Sequence, residues 1–192
     1  MRSYTVTIPA TVDLLTLSEL KEHLKVDVDV DDTFIKNLGR AATNSCEEYT
    51  NRFFLKTKIE QYSDSWSGVS ELLKSPVQTD SFSIRYYDKN DTVQTLATTE
   101  YFLDNISMPA RVCPAPNKSF PTLSSRINAV GVTYFVGVDT AAEVDMAIKQ
   151  AVLLTVGHWY ANRETVVVGR IATEIPMAAK YLLDQYKIQV IR

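Results

Sequence analysis

The residues of this chain whose types could carry chemistry are two cysteines, two histidines and one acidic run. Cys46 beside His158 would form a thiolate–imidazole pair for nucleophilic catalysis if their helices packed together. Cys46 also falls on an apolar helical stripe, where cysteine behaves as a small hydrophobe. Asp27, Asp29 and Asp31 begin like a calcium loop. The sixth position is then Asp32 instead of glycine, and the twelfth is Leu38 instead of glutamate. The run reads as a helix-capping loop. His23 and His158 have no second histidine or cysteine at ligand spacing, so a zinc site is not expected. There is no Gly-x-Ser-x-Gly elbow and no glycine-rich phosphate cradle. The sequence therefore calls for no catalytic residue, no cofactor and no metal ligand, with a small enzyme using Cys46 and His158 kept as a minor alternative.

The densest specific cluster is Gly157 to Glu164, at the end of the longest helical run. Core packing explains Trp159 and Tyr160. It does not require Asn162, Arg163 and Glu164 directly after them. An arginine beside aromatics can stack and can fork onto a carboxylate or onto carbonyls. His158, Trp159, Tyr160, Asn162, Arg163 and Glu164 are therefore read as a rigid seam between elements or between subunits, with Trp159 expected against the second helix.

The elements that must position these residues follow from periodicity. Residues 1–13 form an extended N-terminal segment in which Tyr4, Val6 and Ile8 alternate with polar neighbours. Thr16-Leu17-Ser18-Glu19 is a capping box opening a short helix. Asp31 or Asp32 caps a second helix that reaches about Phe53, with Ile35, Ala42, Cys46 and Tyr49 on its apolar stripe. From Leu55 to about Val138 the period falls to two, with a turn at Asp88–Asp91 and a proline-rich loop holding Pro109, Pro114, Pro116 and Pro121. Thr140 caps a long helix with a stripe through Val144, Ile148, Val152, Thr155 and Trp159, and Pro176 opens the last one.

The expected fold is thus α+β: mainly a bundle of about four helices, with a small antiparallel β region inserted. The helical domain is discontinuous, 14–54 and 140–187. Residues 55–139 are the inserted β region, 1–13 an N-terminal extension and 188–192 a C-terminal tail. A net charge of −3 argues against phosphate binding as the main activity. The apolar run from Met146 to Val156 is too short to span a bilayer, the start has no secretory pattern, and unpaired thiols fit a reducing cytoplasm.

Several blocks in order resemble the tailed-phage head–tail connector proteins of the gp6-like type, and the related phage gp8-like group. Leu15 to Val26 looks like the family's opening helix. Asp31 to Ile35, Ala41-Ala42 and Cys46 to Arg52 look like its second helix, with Asn51 where a glycine is usual. Ala151 to Glu164 is similar to its most distinctive block, and Ile175-Pro176 with Tyr181 to Tyr186 to its closing helix. The resemblance implies a structural adaptor without catalysis. It implies a ring, commonly twelve-fold, that sits under the portal in the virion neck after assembly in the host cytoplasm. Such a ring extends the DNA channel, receives a head-closure (stopper) or tail protein, and lets DNA pass without sequence-specific binding; no membrane is involved. Another neck component, a head-closure or tail-completion protein, is the alternative. On that reading Asp27, Asp29, Asp31, Asp32, Glu47 and Glu48 are candidates to face the channel. Lys187, Ile188, Gln189, Val190, Ile191 and Arg192 are candidates for a portal-docking tail.

Overall fold

A computed structural model describes residues 2–162 and 174–189. The chain divides into two compact units. One comprises residues 1–10, 56–137 and 188–192; the other comprises residues 11–55 and 138–187.

The first unit is a β structure. Among the described residues, its main sheet has five antiparallel strands in the order β1 (Arg2–Ile8), β2 (Thr57–Ser63), β7 (Val130–Val136), β3 (Val77–Tyr87) and β4 (Val93–Thr95). A two-stranded hairpin pairs β5 (Tyr101–Asp104) with β6 (Arg111–Pro114). Strict alternation in β2 and β7 buries Ile59, Val130, Val132, Tyr134 and Val136 on one face. Gln61 is fully buried on that face, and every polar group of its amide is used. Its Nε2 donates to the carbonyls of Gly68 and Glu71, at 3.2 and 3.1 Å. Its Oε1 accepts from the Leu73 amide and the Tyr134 hydroxyl, at 2.8 and 3.0 Å. One buried side chain therefore fixes the loop after β2 over the sheet.

This corrects the expectation of a mainly helical bundle. The β unit takes up about half of the chain and is a sheet with its own core, so the fold is α+β with two comparable parts. Three segments enlarge it. The extended N-terminal segment pairs along β2 as β1, β3 runs eleven residues, and part of the proline-rich loop pairs as β6. Pro114 is tolerated there because it ends a strand of a two-stranded ladder.

Among the described residues, the second unit packs four helices: α1 (Leu17–Leu24), α2 (Asp32–Thr50), α3 (Met146–Ala161) and α4 (Met177–Asp184). Thr16 and Glu19 cap α1 reciprocally. The Thr16 amide donates to the Glu19 carboxylate at 2.7 Å, and the Glu19 amide donates to the Thr16 hydroxyl at 3.2 Å. Asn51 ends α2 at φ 56°, a left-handed conformation that asparagine tolerates in place of glycine. Thr140 caps a single 3₁₀ turn, and α3 begins later, where the Asp145 carboxylate accepts from the Ala147 amide at 2.9 Å. α3 is apolar around most of its circumference because it touches α1, α2 and α4 together. Ile148, Ala151, Val152, Val156 and Trp159 join Leu14, Leu20, Ile35, Ala42, Cys46 and Leu183 in one core.

Candidate functional site

In the helical unit, the C-terminal half of α3 meets α1 and the start of α2. Two helical glycines lie against side chains of α1. A Cβ at Gly39 of α2 would lie 2.7 Å from Leu20 Cδ1, and one at Gly157 of α3 would lie 3.2 Å from His23 Nε2. Each glycine thus gives an α1 side chain room that alanine would take. The sequence carried no signal for either, since a glycine inside a helix looks only like a weak helix former.

Tyr160 completes this contact. Its hydroxyl donates to the Asp31 carboxylate at 3.0 Å, and its ring lies 6.2 Å from that of Phe34. Asp31 occupies the N-cap position of α2 but makes no side-chain cap hydrogen bond. Its carboxylate is turned toward α3 instead. Trp159 is buried at 7% exposure, whereas His158 is exposed. The Asn162 side-chain amide donates to the His158 carbonyl at 2.8 Å and so closes the helix end. Of the residues read as a seam, Trp159 and Tyr160 face other helices, Asn162 acts locally, and Arg163 and Glu164 lie outside the described residues.

The acidic candidates separate by what they touch. Lys21 Nζ holds Asp29 and Asp32, each at 2.7 Å. The Asp29 carboxyl is lowered below its ordinary value by that hydrogen bond. Glu47 is half-buried and accepts from the Phe54 amide at 2.7 Å, which holds the chain as it leaves α2. Asp27 and Glu48 are exposed.

A second polar cluster, not foreseen from the sequence, ties α2 to α4. The Tyr49 hydroxyl donates to Asp184 at 2.6 Å, and Arg52 donates to the Tyr186 carbonyl. Lys187 Nζ lies 4.4 Å from the Tyr49 ring centroid, a cation–π contact. Burial and the neighbouring Asp145 carboxylate push the Tyr186 hydroxyl up to about 12. The partner Asp145 is lowered, first by the Tyr186 hydrogen bond and then by the Ala147 amide. Within the proposed tail, Lys187 is anchored in this way, Ile188 is buried, Gln189 is exposed, and Val190, Ile191 and Arg192 lie outside the described residues.

The catalytic alternative meets an unfavourable environment. Cys46 is fully buried with its Sγ 4.0 Å from the Thr155 hydroxyl, and burial pushes the thiol up to about 11. A nucleophilic cysteine needs the opposite shift. Cys113 is exposed on β6, in the other unit.

A capped short helix, an acidic corner and a longer second helix closing on a left-handed Asn51 form the N-terminal part of the helical unit. That part carries a family pattern. Residues 14–101 match the family of phage gp6-like head-tail connector proteins. The connector resemblance read from the sequence is borne out over this span, which runs from Leu14 through α1, α2 and strands β2, β3 and β4 to Tyr101. The α3 block, read from the sequence as the most distinctive, lies beyond the matched residues. No curated protein matches the chain.

Solved structures resemble the connector-like chain over nearly its whole length. One is from the virion of a native gene transfer agent (GTA) particle, with TM-score 0.75 and 16% identity, covering 98% of this chain and 97% of that one. Another is from the neck of an empty GTA particle computed with C6 symmetry, with TM-score 0.73 and 17% identity over 100% and 97% of the two chains. A third is from the neck of a native GTA particle computed with C12 symmetry, with TM-score 0.70 and 18% identity over the same shares. At such identities the likeness is one of fold.

Proposed function

We infer that this protein is a structural head–tail adaptor of a tailed phage or phage-like particle, working as a ring in the neck. One observation carries the reading: a connector-family segment sits in a chain whose entire length shares its fold with chains of GTA neck structures. The ring would be twelve-fold, would sit under the portal, and would receive a head-closure or tail protein on its far side. Ring closure requires each subunit to use two different surfaces toward its neighbours. DNA would pass through the ring without being read.

The test is to image purified protein mixed with portal rings. Added ring density on the portal is the expected result. Portal rings without added density would reject the adaptor role, and docking only onto a preformed adaptor ring would favour the head-closure alternative.

Two parts of this proposal concern particular residues. Asp27, Asp29 and Glu48 are exposed and are our candidates to border the channel, where like charge keeps DNA from sticking. Asp29, though ion-paired with Lys21, is exposed, whereas Asp31, Asp32 and Glu47 are half-buried as well as engaged within the fold and are weaker candidates. Neutralising Asp27, Asp29 and Glu48 together should slow DNA passage, and an unchanged ejection rate would reject the assignment. The C-terminal tail is our candidate for portal docking. Because Ile188 is buried, the informative truncation removes only Val190–Arg192. Portal binding that survives this truncation would reject the tail.

A further inference from the structure

We propose that residues 116–121 form an exchange strap that, in the assembled ring, leaves its own aromatic seat and fills the same seat of the neighbouring copy. This deepens the adaptor reading and rests on it. The seat and the segment that fills it come from different parts of the β unit. Trp66, after β2, and Tyr86, on β3, build the seat, with ring centroids 5.6 Å apart. Phe120 stacks on Trp66 at 4.4 Å, with 17° between the rings. The Trp66 indole N–H donates to the Pro121 carbonyl at 2.7 Å. Lys118 forms an ion pair with Glu100. Aromatic-lined sites take proline-containing segments well, because proline pre-sets the backbone and less freedom is lost on docking.

The strap is separable from the sheet. The connection from β6 to β7, residues 115–129, contains no helix and only an isolated bridge, between Leu123 and Asp88. Connections of about 12–15 residues or more without regular structure are uncommon and usually functional. Pro116 and Pro121 have no N–H to give to a strand ladder. Pro116, Asn117, Lys118 and Ser119 are exposed, and Phe120 and Pro121 are half-buried. Side-chain contacts and one exposed ion pair therefore do much of the holding, and such a pair contributes less than about 1 kcal/mol. Whatever the strap gives up in its own chain it remakes in the next, which is why exchange of an identical element costs little. Each copy gives one strap and receives one. The contact is thus head-to-tail, the class that closes rings. The reach is sufficient as well. Phe120 lies three residues before Leu123, so with the Leu123 bridge kept it can extend about 10 Å, the spacing of packed layers. In a lone subunit only the strap's own seat is within range. Copies gathered on the portal bring a neighbour's seat to a comparable effective concentration.

The experiment replaces Phe120 with photoreactive p-benzoylphenylalanine and irradiates the protein alone and on portal rings. In the free subunit the crosslinks should stay within one chain, so that a denaturing gel shows monomer. In rings they should join copies and give dimers, trimers and larger products. Rings that yield only monomer overturn this inference alone. Products that stop at dimers overturn it too, because they denote a two-fold exchange. A second test uses the exposed ion pair, with circular dichroism melting as the fold control and rings counted by electron microscopy. Glu100→Lys and Lys118→Glu should each lower the number of rings several-fold, because like charges then meet at every joint. Mixed in equal amounts they should restore rings, since in alternating copies each strap meets a seat of opposite charge. A strap that stays in its own chain gains nothing from mixing. A mixture no better than either variant, or single variants that assemble like wild type, therefore overturns the exchange. Wild-type protein that never forms rings on the portal overturns the adaptor reading and this inference with it.

Discussion

The Tyr160 hydroxyl, on the last turn of α3, donates to the Asp31 carboxylate at the start of α2 across 3.0 Å. This bond joins residues 129 positions apart and closes the corner that α1 and α2 form. A hydrogen bond to a charged, part-buried acceptor contributes about 1.5 kcal/mol. Tyr160→Phe should therefore lower unfolding stability in urea by about that amount, with Asp31→Asn somewhat less. A double-mutant cycle with no coupling between the two sites would show that the bond contributes nothing.

Gly39 should reverse the usual helix rule. A glycine-to-alanine change inside an exposed helix stabilises by about 1 kcal/mol. At Gly39 the added Cβ would press on the Leu20 side chain, which is only 2% exposed. Gly39→Ala should instead destabilise by about 1–3 kcal/mol, as overpacking does. Combined with Leu20→Ala, its cost should fall well below additivity. A Gly39→Ala protein more stable than wild type would refute the close packing of α1 on α2.

The two cysteines should differ sharply in reactivity. Cys113 is exposed, whereas Cys46 is buried with its thiol pushed up to about 11. Brief alkylation at neutral pH, mapped by mass spectrometry, should label Cys113 and leave Cys46 until the protein unfolds. Fast labelling of Cys46 in the folded protein would revive the thiol–imidazole alternative.

Alkaline stability should depend on Tyr186. Its hydroxyl is raised from 10.0 to about 12, so the unfolded chain gives up this proton first. The stability it contributes is whole below pH 10 and is lost as pH rises toward about 12. Asp145 has the opposite sign. Its lowered value means that its contribution is present above the ordinary 3.8 and is lost as pH falls below that. Tyr186→Phe should melt lower than wild type at pH 9, and the gap should shrink as pH rises to 11.5. A gap that stays constant across this range would exclude the linkage.

The sequence alone determined what repeats locally. Period two placed β2 and β7, the Thr16–Glu19 reciprocity placed α1, and Pro176 placed α4, because each is written within a few neighbouring residues. Its order of helical blocks was also enough to identify the connector resemblance. Only tertiary structure decided that Arg2–Ile8 belong to the sheet, since a lone alternating segment does not say whether a partner strand exists. It also decided that Asp31 would hold Tyr160 instead of capping its own helix. Gly39 and Gly157 were silent in the sequence because their role depends on what lies across from them.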